Sequence, residues 1–536
     1  MKKLLKFNYK SAFAVSTLAC ALIFTSCEKF TELSPLSSLD EKNAFSTAQN
    51  VELAMNGVYW QAAVGYYDPG TGLTTGRGYP FGGASIEQGE MRGEDMMNVQ
   101  AFYQFTYEST YTISTANNVN MWEQLYALIN QANVTIEGVK GAIASGVISQ
   151  ATGNAYIGEC LFLRAIAHHE LLLNFSRPYV DGKGSNLGVP YRTTAISTPS
   201  SIEEAKKATR GTVAEAYTNL LKDLDEAESL LPDTRSAKDV SISRATKGAA
   251  IALKTRVKLH QEDYDGVIAE ANKLGANATG NFTSAIGNYK LEASPVTPFT
   301  SYKNNTESIF SVAQSSASNG GVNGAISNMF GASSLSGRDL ISTSPLLYNQ
   351  DFWKADDIRK TDLHLRQNTG NYKFVFSKKY SRIGINDDWN PLIRYAEVLL
   401  NAAEAYAYKG NNAQALNLLN AVRNRAVKAA DRYTTAPADL KLAIYQERRI
   451  EFTAEGKRWG DIHRLALNST YGTKGIPAKV LATQLTAAGL DNYTIGVTIT
   501  PSKAAIPYAD NRFVWPLPTS EMNSNPVLRG EQNPGY

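Results

Sequence analysis

The chain of 536 residues is 43% hydrophobic and 19% charged, and its 53 basic residues nearly balance its 50 acidic ones. A chain of this length can bury a large core without disulfides. The charge balance gives no support to nucleic acid or to an anionic membrane surface as a partner. After the N-terminal segment, no run of eighteen apolar residues predicts a membrane-spanning helix.

The first 26 residues have the pattern of an export signal. Four lysines precede an apolar stretch at 11–24, and Thr25 and Ser26 are the small residues that a peptidase needs before its cleavage site. Cys27 follows at once, and this arrangement resembles a bacterial lipoprotein signal, in which Cys27 becomes the lipidated first residue. The alternative is an ordinary secretory signal cut near Ser26. Cleavage at Cys20 is disfavoured because it would truncate the apolar stretch.

Cleavage before Cys27 would change the counts of charged residues and cysteines in the mature protein. It removes four basic residues and no acidic one, so the mature chain is nearly neutral. It also leaves Cys160 as the single unmodified thiol, which excludes a disulfide framework or a thiolate metal cluster. One acyl chain binds a membrane only marginally, so a permanent anchor requires a multiply acylated cysteine. We expect an exported protein tethered by its N-terminus, with residues 27–42 as a flexible linker.

Helical patterns dominate two parts of the remaining chain, about 43–275 and 389–536. Apolar residues at three- and four-residue steps predict amphipathic helices. In the first part these helices cover residues 43–60, 119–140, 153–175, 211–231, 244–260 and 263–274. In the second part Pro391 suits a first helical position, because its missing N–H needs no partner there, and Gly410 suits the residue after the helix end. Further helices are predicted at 413–426 and 438–455.

The helical segments have the texture of stacked repeats. The unit at 391–425 is about 34 residues long and has the small-residue pattern of a tetratricopeptide repeat, and such units stack into a rigid scaffold. Irregular segments at 61–118 and 276–388 interrupt them. We predict a mostly α fold of tetratricopeptide-like helix pairs, an α-α superhelix, in a single domain at 43–536. The two large irregular insertions would form the ligand face, since loops on a rigid support usually carry binding.

Catalytic and metal-binding signatures are scarce. There is no phosphate-binding loop, nucleophile elbow or zinc-protease motif, and no calcium-loop pattern. The pair His168-His169 lies in an apolar helix and is interpreted as packing. Glu447, Glu451 and Glu455 could supply a glycosidase acid and base, but their i, i+4, i+8 spacing among arginines favours helical ion pairs. No catalytic residue, metal or cofactor is predicted.

Aromatic residues give a clearer signal. Between Tyr59 and Tyr111 many Tyr and Phe residues are interleaved with Arg, Asp, Glu and Asn, which suits sugars because rings stack on C–H faces while polar groups bind hydroxyls. The alternative is that these rings hold the loop onto the scaffold. A weaker set lies in the second insertion. The predicted ligand-binding residues are Tyr66, Tyr67, Arg77, Tyr79, Arg92, Asp95, Tyr103, Tyr302 and Trp353.

Several long motifs, in order along almost the whole chain, resemble the SusD/RagB family of outer-membrane nutrient-binding lipoproteins. LSPLSSLDEKNAFSTAQNVELAMNGVY follows the lipidated cysteine, and the most specific stretch is NPLIRYAEVLLNAAEAYAYKGNNAQALNLLNAVRNRA with YQERRIEFTAEGKRWGDIHRL. MWEQLYALINQANVTIEGV, ECLFLRAIAHHELLLNFSRPYVDGKGSNLGVPY and the terminal VWPLPTSEMNSNPVLRGEQNPGY also match. Ser176 to Tyr179 departs from the glycine-rich turn of many members.

The resemblance implies four tetratricopeptide-like helix pairs and a TonB-dependent, SusC-like outer-membrane transporter as partner, on which the lipoprotein sits as a lid. The ligand it implies is an oligosaccharide bound without cleavage, and one branch of the family takes peptides instead. We therefore expect a non-catalytic glycan-capture lipoprotein, lipid-anchored at the outer membrane and surface-exposed. A peptide-binding lid is the alternative, and a glycosidase is a third possibility. Ligand residues vary within the family, so the predicted site rests on loop position and chemistry.

Overall fold

The computed structural model describes residues 41–65, 67–68, 73–74, 77–488 and 491–536. The predicted signal peptide, Cys27 and the linker up to residue 40 lie outside these described residues. Within them, helices form most of the regular structure, as predicted.

The helices of the N-terminal part are α1 (Glu41–Ala44), α2 (Ala48–Val64), α3 (Gly83–Met91), α4 (Gln104–Tyr107), α5 (Ala116–Ala144), α6 (Gln150–Phe175), α7 (Pro199–Ala205), α8 (Val213–Leu230), α9 (Lys238–Ser243), α10 (Lys247–His260) and α11 (Tyr264–Lys273). The six helices predicted in this part are present, although the first is split into α1 and α2, and α3, α4, α7 and α9 have no predicted counterpart. Local chemistry sets some of the boundaries: Thr212 and Glu215 form a capping box at the start of α8, and the Asp263 side chain accepts a hydrogen bond from the N–H of Gly266 at the start of α11.

Shorter helices follow in the second insertion, and longer ones resume after it. They are α12 (Thr297–Thr300), α13 (Ile326–Phe330), α14 (Pro345–Tyr348), α15 (Ile358–Asp362), α16 (Tyr395–Tyr408), α17 (Asn412–Arg423), α18 (Leu440–Glu451), α19 (Arg458–Arg464), α20 (Thr519–Ser524) and α21 (Pro526–Arg529). Gly410 has a φ of 79°, the left-handed conformation expected of the residue that follows a helix end.

The long helices pack against their neighbours in sequence and build a continuous superhelix. α5 packs on α6, α6 on α8, α8 on α10, α10 on α11, α11 on α16, and α16 on both α17 and α18. Alanines at helical spacing permit this close packing: Ala249 and Ala250 of α10 and Ala402 and Ala403 of α16 are fully buried. The predicted mostly α fold with tetratricopeptide-like helix pairs is confirmed.

Strands are short and form two-stranded antiparallel pairs. They are β1 (Tyr67–Asp68), β2 (Leu73–Thr74), β3 (Met96–Asn98), β4 (Ser308–Val312), β5 (Ile341–Thr343), β6 (His364–Thr369), β7 (Tyr372–Ser377), β8 (Asn390–Arg394), β9 (Gly475–Ile476) and β10 (Ile506–Pro507). The pairs are β1 with β2, β3 with β5, β4 with β8, β6 with β7, and β9 with β10. The strand predicted at β4 is confirmed, whereas the β6–β7 hairpin makes the second insertion more regular than expected.

The prediction that a helix begins at Pro391 is wrong. Residues 390–394 form β8, which is buried along its whole length and pairs with β4, and the helix begins only at Tyr395. Pro391 lies opposite Ser311 next to an irregularity in the register, where a missing N–H is tolerated. Proline is tolerated without its N–H both at a first helical position and at this strand position, and here the apolar run that packs on β4 decides for the strand.

The charged run at 447–455 forms ion pairs, but not within its own helix as predicted. Glu447 and Glu451 bind Arg359 at 2.5 and 2.9 Å, and Glu455 binds Lys379 at 2.6 Å. All these side chains are buried. Arg359 and Lys379 belong to the second insertion, while Arg394 of β8 and Arg423 and Arg425 of the repeat scaffold bind the same glutamates. The network therefore joins that insertion to the repeat scaffold.

Candidate ligand-binding face

The two irregular insertions contact each other directly. β3 of the first insertion pairs with β5 of the second, and the N–H of Gly83 donates to the carbonyl oxygen of Gly324 at 2.8 Å. The backbones of the two insertions approach so closely that a Cβ on Gly78 would lie 2.9 Å from the Cα of Gly324. Glycine is therefore required at this contact, and the insertions form one continuous surface.

We call this surface the insertion face and define it by the described segments 77–82, 99–105, 315–338 and 381–386. Exposed hydrophobic side chains concentrate here. Of the twelve large hydrophobic residues that are exposed in the described part of the chain, five lie on these short segments: Phe102, Phe105, Val322, Leu335 and Ile385. Such clustering marks a surface built to contact something other than water.

Phe102 and Phe105 are the two aromatic rings in that exposed set, at 38% and 54% exposure. They lie three residues apart where a short 3₁₀ turn runs into α4, so both project from one side of it. Tyr103 and Tyr107, on the opposite side, are buried and hold this element onto the core. The backbone thus separates two anchoring rings from two rings whose exposed parts can contact a ligand.

Arg338 lies beside Phe102, with its Cζ 5.0 Å from the ring centroid. Its Nη1 donates to Asn323 Oδ1 at 2.9 Å and to the carbonyl oxygen of Val322 at 3.4 Å. The side chain is half-buried, and no carboxylate of the described residues forms an ion pair with it. Aromatic, amide and guanidinium groups therefore meet at one point of the insertion face.

Two family models together span most of the chain. The model of the SusD family matches residues 300–536, and a model described as starch-binding associating with outer membrane matches residues 77–259. The chain belongs to the SusD/RagB family. The insertion face draws segments from both matched regions, and 77–105 and 315–338 lie one in each.

Known members of the family share the architecture of the chain. SusD-like protein P2 of Formosa agariphila is 25% identical, in an alignment that covers 77% of this chain and 80% of that protein. The crystal structure of a SusD superfamily protein from Bacteroides fragilis superposes with a TM-score of 0.72 at 24% identity, covering 90% of this chain and 99% of that one. A laminarin-binding SusD-like protein gives 0.65 at 22% identity, covering 91% and 100%. These structural matches show the fold.

In this SusD/RagB chain, three aromatic residues predicted from sequence to bind ligand face the interior instead. Tyr79 is 2% exposed and its hydroxyl accepts a hydrogen bond from Gln88 Nε2 at 3.0 Å. Tyr103 and Trp353 are fully buried, and the Trp353 ring lies 5.1 Å from that of His364. In this structure none of the three offers a surface to a ligand. They instead hold their segments onto the core, which is the alternative stated for these rings in the sequence analysis.

Arg92 and Asp95 are also interior. The guanidinium of Arg92 stacks 3.5 Å from the Trp459 ring, and burial lowers the pKa of Arg92 to about 10. Asp95 accepts from Arg449 Nε at 3.0 Å and lies 3.3 Å from Arg458 Nε. Both residues follow α3 and pack against residues of α18 and α19, so their role in this structure is structural.

The remaining predicted residues are placed differently. Arg77 is exposed on the insertion face. Tyr302 is half-buried with its ring centroid 6.1 Å from that of Trp389, beside Lys303. Tyr66 lies outside the described residues, and for Tyr67 only the backbone strand is described.

Phe102 and Phe105 belong to the aromatic cluster of the first insertion but are not among the predicted ligand-binding residues, and neither is Arg338. The signal for the two phenylalanines was the helical spacing of AFYQFTY, in which Tyr103 and Tyr107 occupy one side and the phenylalanines the other. Arg338 had no comparable signal, because only the folded chain brings it next to Phe102.

Chemistry on this face favours binding. The described segments that define it contain no Asp or Glu, so they lack the pair of carboxylates that glycoside hydrolysis requires. His168 and His169 are fully buried, and no group of three potential metal ligands occurs among the described residues. No helix in the described part of the chain is both long and apolar enough to cross a membrane.

Proposed function

We propose that this protein is a non-catalytic oligosaccharide-binding lipoprotein of the cell surface. In this proposal it captures glycans at the insertion face and acts as a lid that delivers them to a SusC-like, TonB-dependent outer-membrane transporter. Family membership supports this reading, because the matched models and a laminarin-binding relative connect this fold with carbohydrate and with the outer membrane.

The observation that carries the proposal is the exposed pair Phe102 and Phe105 on a surface rich in hydrogen-bonding groups. Sugar rings present apolar C–H faces that stack on aromatic rings, while their hydroxyls need donors and acceptors. The adjoining segment 315–338 supplies those groups, with seven Ser, three Asn and many glycine backbone amides. The face therefore provides both kinds of contact at once.

The N-terminal segment supports the proposed anchor, and the family resemblance implies the lid role. A lipid on Cys27 would fix the protein at the membrane, and residues 27–42 would act as a polar leash that leaves the body free to close over a transporter. A nearly neutral mature chain suits a protein that depends on its lipid for membrane attachment.

Titration calorimetry of the mature protein against a panel of oligosaccharides tests the proposal. We expect binding to at least one glycan, and a Phe102→Ala/Phe105→Ala double variant should weaken it by roughly tenfold or more, since each stacked ring contributes about 1 kcal/mol. Leu442→Ala, an exposed residue of α18 outside the face, should leave affinity unchanged. Binding of peptides without glycans would support the alternative, and release of reducing ends would indicate an enzyme.

A further inference from the structure

We propose that the glycan taken at the insertion face is anionic, and that Arg338 and Phe102 together form the subsite for a sugar bearing a carboxylate or a sulfate ester. This inference rests on the proposed function and specifies its ligand class. It is carried by the charge of the face, by the free donors of Arg338 and by the ring beside it.

The first observation is the sign of the charge. The described segments of the insertion face contain Arg77, Arg338 and Arg382 and no acidic residue. Across the whole chain basic and acidic residues nearly balance, so this surface departs from the average of the molecule. Arg382 is paired with Asp387 just beyond these segments, so Arg338 and Arg77 are the cations that can attract and select an anionic ligand.

The acidic residues that directly follow these segments, Asp339, Asp387 and Asp388, are buried, and each has a partner within the fold. Asp339 is 3% exposed, and its carboxylate accepts hydrogen bonds from the N–H of Ser333 at 2.6 Å and from Thr369 Oγ1 at 3.1 Å. Asp387 binds Arg382 at 2.8 Å, which neutralises that arginine. None of the three carboxylates forms an ion pair with Arg338 among the described residues.

Glu87 is a buried acidic residue that interacts electrostatically with Arg338. It is completely buried, and this burial raises its pKa to about 8, although the nearby Arg338 charge opposes the rise. At neutral pH the Glu87 side chain is mostly protonated. The positive charge of Arg338 is therefore not compensated from the interior.

The second observation is the set of donors that Arg338 leaves unused. Its hydrogen bonds within the described chain all come from Nη1. Nε and Nη2 donate to no described acceptor, and these two N–H groups lie on one edge of the planar guanidinium. That edge is the fork that binds two oxygens of a carboxylate or sulfate side by side.

The third observation is the fixed position of the fork. Asn323 and the Val322 carbonyl hold Nη1, and the ring of Phe102 supports the guanidinium from one side. A pre-positioned arginine loses little side-chain entropy on binding, so its charge-assisted bonds favour affinity more than those of a free surface arginine. A sugar whose ring contacts the exposed part of Phe102 would bring its charged substituent to this edge.

Calorimetry with three tetrasaccharides of equal length tests the inference: tetragalacturonate, a sulfated κ-carrageenan tetrasaccharide and neutral cellotetraose. We expect at least one anionic ligand to bind roughly tenfold or more tightly than the neutral one, and to weaken as salt rises from 0.05 to 0.5 M. The two anionic arms distinguish carboxylate from sulfate recognition.

Arg338→Gln should abolish the preference for the anionic ligand, and Arg338→Lys, which keeps the charge but has no planar fork, should retain part of it. Arg529→Gln, an exposed arginine of α21 outside the face, is the matched control and should change nothing. Retention of the full anionic preference in Arg338→Gln would overturn the subsite assignment.

A glycan array run in parallel separates failure of this inference from failure of the proposed function. Signals confined to neutral glycans would contradict the anionic class and leave the proposed function standing. An array without any glycan signal would contradict the proposed function itself.

Discussion

Arg394 Nη1 lies 2.9 Å from Glu451 Oε1, and both side chains are at most 2% exposed. Arg394 ends β8 and Glu451 ends α18, so this ion pair joins the strand that closes the second insertion to the C-terminal helices. Arg394 also binds Glu455 at 2.7 Å and contacts Glu307. One arginine thus contacts three buried carboxylates, and Arg359, Arg425 and Lys379 supply the further positive charge that balances them.

Replacement of Arg394 should therefore cost far more than replacement of a surface arginine. We expect Arg394→Met to lower the free energy of unfolding by about 3–5 kcal/mol, because it removes one of the cations that balance a buried group of carboxylates. Arg366→Met removes an exposed pair with Asp491 and should cost at most about 1 kcal/mol. Urea denaturation of both variants checks this, and equal losses would contradict the assigned role of the network.

Acid should destabilise the protein through its paired carboxyl groups. Glu397 is buried, and despite the cost of burial the Arg256 guanidinium 2.6 Å away lowers its pKa to about 2, from 4.5. The unfolded chain therefore binds more protons than the folded one between these values, and stability falls as pH drops from about 4.5 to 2. We expect a loss of up to about 1.4 kcal/mol per pH unit from this one group.

Urea midpoints at pH 6, 4 and 3 measure this effect. Glu397→Gln should be less stable than the wild type at pH 6 and should lose less on acidification. If the variant and the wild type lost stability in parallel between pH 4 and 3, the ion pair would not be the source of the acid sensitivity.

Glu87 gives a pH dependence of the opposite sign. Burial raises its pKa from 4.5 to about 8, so the folded state binds the extra proton and stability falls as pH rises from about 4.5 to 8. Glu87→Gln mimics the protonated side chain, and we expect its advantage over the wild type to grow between pH 5 and 8. Thermal unfolding at pH 5, 6.5 and 8 checks this, and a constant difference across the series would contradict it.

The sequence was a good guide to the scaffold and a poor guide to which side chains face solvent. The apolar periodicity predicted three of the four ends of α5 and α6 to within three residues, and the C-terminal end of α5 to within four. It succeeds because the buried stripe of a helix is a local property of the sequence. β8 was missed since its cover, β4, lies about 80 residues away and exerts no local signal. Whether such an apolar segment forms a strand or a helix depends on the segment that it packs against in the fold.

The candidate site shows the same division. Composition correctly drew attention to the first insertion as an aromatic-rich region, but it could not separate Tyr103, which is buried, from Phe102, which is exposed. Arg92 has the residue type expected of a ligand contact, yet Trp459, more than 300 residues later, covers it. Burial of a polar side chain depends on distant charges and rings, which one sequence does not reveal.

Trp353 provides a test of a structural role against a binding role. Its ring is fully buried and lies 5.6 Å from that of Tyr348 and 5.1 Å from that of His364. We expect Trp353→Ala to lower the free energy of unfolding by about 3–5 kcal/mol. Trp353→Phe should cost less, because the indole Nε1 donates to no acceptor among the described residues. Glycan affinity of folded Trp353→Phe should match the wild type, and a selective loss of affinity would return this residue to the ligand site.

The last prediction concerns the anchor. Cys27→Ala should remove the lipid without touching the folded body, so the purified variant should bind glycan with the affinity of the wild-type mature domain. In cells the same variant should lose surface retention and glycan uptake, because a lid without its leash diffuses away from the transporter. Surface labelling and growth on the bound glycan measure the two outcomes. Normal uptake by a variant that is released from the membrane would show that the lipid is not needed for delivery and would contradict the leash.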